Sequence, residues 1–73
     1  MKKRRFRAER LRELREAKGW TWSDIARRLG TEVSTPPAWE RAQKQPRPAS
    51  IERLAEIFDV EVEDLIDQTD TAD

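Results

Sequence analysis

Apolar residues in this chain never run longer than two in succession, and most stand three or four apart between Arg and Glu. That spacing predicts short amphipathic helices and offers no strand pattern. Ala8, Leu11, Leu14 and Ala17 recur every three residues and predict a first helix from Ala8 to Lys18, ended by Gly19 in the left-handed conformation that glycine adopts without penalty. Trp20 follows that stop and is placed to pack under the helices on either side. Thr21 reads as an N-cap, and Asp24 three residues on makes an acidic form of the capping box, so a second helix starts at Trp22. It buries Ile25, Ala26 and Leu29, leaves Arg27 and Arg28 in water, and stops at Gly30.

The adjacent prolines Pro36 and Pro37 decide what comes next. A proline costs about 3 kcal/mol inside a helix but almost nothing in its first turn, where the missing N–H has no partner to lose. Ser34 or Thr35 is therefore the N-cap of a third helix opened by the prolines, running to about Ala42 with Trp39 buried, and Thr31 to Thr35 is an extended loop. Gln43 to Pro48 is a polar connection, and Pro48 opens a fourth helix on Ile51, Leu54, Ala55 and Phe58. Val60 re-enters the core, and Val62, Leu65 and Ile66 suggest a last short helix that closes it. The fold expected is all-α, a compact bundle of about five short helices in a domain spanning residues 8–67. A basic arm (residues 1–7) precedes it and a disordered acidic tail (residues 68–73) follows. Phe6 either tucks against the first helix or belongs to a free end.

Composition narrows the chemistry. A chain of 73 residues buries about 60% of its unfolded surface, so the core is small and each large apolar residue counts. With no Cys and no His, a disulfide scaffold, a zinc finger and catalysis through either residue are excluded. No nucleophile–base or carboxylate pair has a spacing that demands chemistry, which speaks against an enzyme, and no cofactor or metal is implied. The short apolar runs leave neither a membrane span nor a signal-peptide core, so a cytoplasmic protein with no membrane partner is expected.

Charge adds direction. The formal net charge is zero, yet residues 1–47 hold fourteen Lys and Arg against six Asp and Glu, while residues 48–73 hold one Arg against nine acids. A half at +8 joined to a half at −8 points to a polyanion-binding portion and an acidic portion that does not bind it.

Six segments, taken in order, carry a resemblance. Arg10-Leu11-Arg12-Glu13-Leu14-Arg15-Glu16-Ala17-Lys18-Gly19-Trp20-Thr21 is followed by Asp24-Ile25-Ala26-Arg27-Arg28-Leu29-Gly30. Then come Trp39-Glu40-Arg41-Ala42, Pro46, the run from Ile51 to Val60, and Glu63-Asp64-Leu65-Ile66. In order and spacing, over roughly residues 8–67, these are similar to the lambda-repressor-like, or XRE-type (Cro/CI-type), helix-turn-helix domain. The resemblance implies a structural ion pair between Arg15 and Glu40. It also implies DNA base readout near Val33, Ser34, Thr35 and Ala38, and phosphate contacts near Trp22, Arg41, Gln43 and Lys44. The basic arm, Lys2, Lys3, Arg4 and Arg5, would reach an adjacent groove. Two positions depart from the family pattern: Trp22 stands where Gln usually contacts phosphate, and Pro36 stands where the recognition helix usually has a branched apolar residue. Trp22 either donates its indole N–H to phosphate or serves a structural or partner-facing role. The loop before the prolines either approaches the groove through backbone N–H groups or prevents insertion.

The function implied is a sequence-specific regulator of transcription that binds double-stranded DNA, a small repressor or Cro-like protein acting as a homodimer on half-sites about one helical turn apart. The surface that would dimerise includes Val62, Leu65 and Ile66 among its candidates. The competing expectation is a protein-interaction module on the same scaffold, antitoxin-like or otherwise partner-binding, for which Trp22 and an exposed Pro36-Pro37 would be the contact.

Overall fold

The computed structural model describes the backbone of residues 2–70 and the side chains of residues 5–67. The order is β1 (Lys2–Phe6), α1 (Ala8–Lys18), α2 (Trp22–Leu29), α3 (Thr35–Glu40), α4 (Pro48–Phe58), a 3-10 turn (Val62–Leu65) and β2 (Ile66–Asp70). The helices are mostly as expected, because short local signals fix their ends. Gly19 has φ 68° and ends α1, its N–H reaching the Arg15 and Glu16 carbonyls. At the start of α2 the Asp24 N–H donates to Thr21 Oγ1 at 3.1 Å and the Thr21 N–H donates to Asp24 Oδ2 at 2.9 Å, a complete capping box. Gly30, at φ 76°, closes α2.

The core is one cluster: Phe6, Leu11, Ile25, Leu29, Trp39, Ile51, Leu54, Ala55, Phe58 and Leu65, with no buried polar or charged side chain among the described residues. Trp20 lies at its margin with its ring centroid 5.0 Å from that of Phe58, so it bridges α1, α2 and α4 from outside the fully buried set.

Several expectations need correction. Ala17 is exposed and Leu14 half-buried, whereas Leu11 is fully buried. A repeat of three falls short of the 3.6-residue turn, so the stripe drifts round α1 toward water as it proceeds. The third helix ends at Glu40, not near Ala42, because Ala42 takes φ 59° and the Gln43 N–H turns back to the Ala38 carbonyl at 2.9 Å. The segment before α3 is not extended: it closes in a turn with the Thr35 N–H donating to the Glu32 carbonyl at 3.1 Å, and Ser34 is the N-cap.

The largest difference is at the chain ends. The expected last short helix is present as a single 3-10 turn, Val62–Leu65, and only Ile66 departs from it, leaving as a strand. Residues 2–6, expected in the basic arm, pair with residues 66–70, of which 66 and 67 were expected to end the helical domain and 68–70 to begin the disordered tail, as an antiparallel ribbon running from Lys2 opposite Asp70 to Phe6 opposite Ile66. Burial of Phe6 and Leu65 beside the junction draws the two segments together, the register sets Arg5 opposite Asp67, and the ladder then satisfies backbone groups that neither end could pair alone. Met1 and residues 71–73, which the arm and tail also included, lie outside the described residues.

Candidate nucleic-acid interface

The six residues of α3 are positioned from one side. Pro36 and Trp39 are buried in the core and Glu40 is only 12% exposed at its side chain, and a spacing of i, i+3, i+4 puts all three on one face. Pro36 thus fills the inward position that a branched apolar side chain would occupy, and it sits in the first turn, where its missing N–H costs no helical hydrogen bond. The opposite face is what remains for a partner. Val33, the most exposed large apolar residue described at 50%, precedes the helix with exposed Ser34; half-buried Thr35 and Ala38 lie on the helix; exposed Arg41, Gln43 and Lys44 follow it. The four base-readout candidates and three of the phosphate candidates are therefore all at least partly open to solvent, and Thr35 and Lys44 border one groove.

Three side chains hold the inner end. Arg15 Nε and Nη2 donate to Glu40 Oε2 at 3.4 and 3.3 Å, and Arg12 Nε lies 3.9 Å from the same oxygen. Arg15 also lies over Trp22, with its guanidinium carbon 4.4 Å from the ring centroid. Trp22 is half-buried and packs on the core margin, Pro36 is buried and Pro37 half-buried, so the fully exposed Trp beside exposed prolines that would favour a protein partner is not what these residues present. Arg12 as a second partner and the Trp22–Arg15 stack were not anticipated, because no spacing along one helix encodes a contact between different helices.

Of the basic residues near the N-terminus, Lys2, Lys3, Arg4 and Arg5 lie on β1. Arg5 is exposed and borders a groove of about 420 Å³ together with Gln45 and Pro46, which places it next to the connection that follows Lys44. A second, more polar groove of about 600 Å³ runs beside α3 between Thr31, Glu32, Thr35, Lys44, Arg47 and Ser50. Arg47 belongs to the basic half of the sequence, but only the fold brings it beside Thr35. At the start of α2, the Thr21 backbone N–H, then the Thr21 hydroxyl, then the charges of Arg27 and Arg28 hold the Asp24 carboxyl below the usual aspartate range.

A capped helix, a tight turn and a short helix anchored from behind with an open outward face define a helix-turn-helix unit, here supported by a fourth helix and a terminal ribbon. The chain belongs to the helix-turn-helix domain family, whose profile matches residues 8–68, and it is of the lambda-repressor-like, XRE type of DNA-binding transcription regulator. Among solved structures it is similar to the restriction-modification controller protein C.AhdI from Aeromonas hydrophila, with 35% identity and a TM-score of 0.73 over 78% of this chain and 86% of that one. No curated protein matches the chain. Among the described residues no helix is long and apolar enough to cross a membrane.

Proposed function

We propose that this protein is a sequence-specific regulator of transcription, a small repressor or Cro-like protein, that binds double-stranded DNA as a homodimer and acts by occupancy without catalysis. The observation that carries the reading is the outward strip from Val33 through Ser34, Thr35 and Ala38 to Arg41, Gln43 and Lys44, left open while Pro36, Trp39 and Glu40 hold α3 from behind. A helix presented this way offers its N-terminal residues to base edges in the major groove and its basic flank to phosphates. None of the four readout residues supplies a bidentate Arg–guanine or Gln–adenine pair, each worth about 1–3 kcal/mol of discrimination. A single subunit therefore reads little, which favours two subunits on a roughly palindromic site. The apolar groove where Val62 and Ile66 meet Phe6, Pro46 and Ile51 is the surface we assign to self-association; Leu65, fully buried, contributes none of it. The likeness to a restriction-modification controller protein extends the reading to control of a restriction–modification system.

The test is selection of a site from random duplex DNA, followed by titration of that duplex across a range of salt concentrations. Binding that weakens steeply with salt and exceeds binding to scrambled duplex supports the proposal. A folded protein that retards no duplex at low salt overturns it.

A further inference from the structure

One guanidinium joins three helices. Arg15 projects from α1, its guanidinium carbon lies over the ring of Trp22 on α2 at 4.4 Å from the centroid, and Glu40 at the end of α3 accepts from its N–H groups at 3.3 and 3.4 Å. The two contacts do not compete: the π face attracts the cation at its central carbon, while the N–H donors at the rim of the guanidinium reach the carboxylate. An arginine held by a carboxylate alone gives up many rotamers for a partly solvated ion pair, so such pairs form weakly. A ring that already confines the guanidinium removes part of that cost.

The need for confinement comes from α3. It has six residues and no side-chain cap at Ser34, so its own hydrogen bonds do little to orient it. Its direction is set by Pro36 and Trp39 in the core and by Glu40 at the far end. We infer that Trp22 is a positioning residue: its ring holds the Arg15 guanidinium on Glu40, thereby aiming α3, and its indole N–H is not a phosphate ligand. The effect on recognition rests on the DNA-binding reading proposed above; the clamp itself does not.

Two substitutions separate the roles. Trp22→Phe keeps a π face and removes the N–H, whereas Trp22→Gln removes the ring and supplies an amide donor. Without DNA, the NMR signal of Arg15 Nε–H is expected to carry an aromatic ring-current shift in the parent and in Trp22→Phe and to lose it in Trp22→Gln. The melting-temperature penalty of Trp22→Gln is expected to shrink in an Arg15→Ala background; an equal penalty in both backgrounds overturns the clamp. With the selected duplex, Trp22→Phe should bind within about twofold of the parent and Trp22→Gln on the order of tenfold more weakly, the spread expected when a partly desolvated cation–π contact is lost. The reverse order, with Gln binding as the parent does and Phe impaired, makes Trp22 a phosphate donor and refutes the positioning role. If the parent binds no duplex, the DNA-binding reading fails, while the NMR shift and the melting cycle still decide whether the clamp exists.

Discussion

Phe6 and Ile66 stand opposite one another at the point where the terminal ribbon meets the helices. Phe6 is 8% exposed and joins the core, and beside it the Arg7 N–H donates to the Leu65 carbonyl at 2.8 Å. A two-stranded ribbon is marginally stable by itself, so this junction carries it. Phe6→Ala is expected to destabilise the protein by about 3 kcal/mol, as for other large buried rings, whereas exposed Arg5→Ala should change stability by less than about 0.5 kcal/mol. Urea melts of the two variants check the difference; equal midpoints would mean that the ribbon is not fastened to the core.

The Arg15–Glu40 pair illustrates why distance alone does not rank ion pairs. Arg10 Nη1 lies 3.0 Å from Glu13 Oε1, closer than the 3.3 Å of Arg15 to Glu40, yet the Glu13 side chain is 59% exposed and that of Glu40 only 12%. Water screens the first pair, so Glu13→Ala should cost at most about 0.5 kcal/mol. Arg15→Ala leaves a largely desolvated carboxylate with only Arg12 at 3.9 Å, and a loss of about 1–3 kcal/mol is expected. In a double-mutant cycle read by denaturant melts, Arg15→Ala with Glu40→Ala should lose less than the two single changes added together.

What could be read from the sequence followed the range of the interaction. Gly19, Gly30 and the Thr21–Asp24 box act within four residues of the ends they fix, and those ends are where the letters place them. The prolines were also legible, since only a first-turn position tolerates them and Pro36 occupies one. The ribbon was not: Lys2 to Phe6 shows no apolar alternation, and its partner lies some sixty residues away, joined through burial of Phe6 rather than through any local preference. The site divides in the same way. The outward strip around α3 follows from the family pattern, whereas the Trp22–Arg15 stack replaces the family's usual residue with a contact across two helices, which no periodicity along either one announces.

The capping box makes stability depend on pH at its acid end. The Asp24 carboxyl is held below its ordinary range first by the Thr21 backbone N–H and then by the Thr21 hydroxyl, so its folded pKa lies below its unfolded one. A depressed carboxyl contributes stability above the unfolded pKa and loses it as pH falls through the folded pKa. Thermal melts should thus show the Asp24 contribution intact at neutral pH and declining below about pH 4. Asp24→Asn should flatten that decline. Thr21→Ala, which removes the cap at any pH, should cost about 1 kcal/mol at neutral pH as well.

On DNA, the residues around α3 should separate into two kinds by their salt dependence. Arg41 and Lys44 are exposed cations beyond the end of α3, and neither is engaged by a described ion pair. If each neutralises one phosphate, Arg41→Ala and Lys44→Ala should each lower the slope of log K against log salt by about 1 and weaken all duplexes alike. Val33, Ser34, Thr35 and Ala38 carry no charge, so substituting them should leave the slope unchanged and alter which duplex is preferred, by about 1–3 kcal/mol at the position read. The ribbon adds a third outcome. With Arg5 set opposite Asp67, Asp67→Asn would leave β1 more positive, and binding to every duplex should tighten, most of all at low salt. Titrations of one selected and one scrambled duplex at three salt concentrations distinguish these behaviours. A uniform loss on changing Ser34 or Thr35, with no change of preference, would move base reading away from α3.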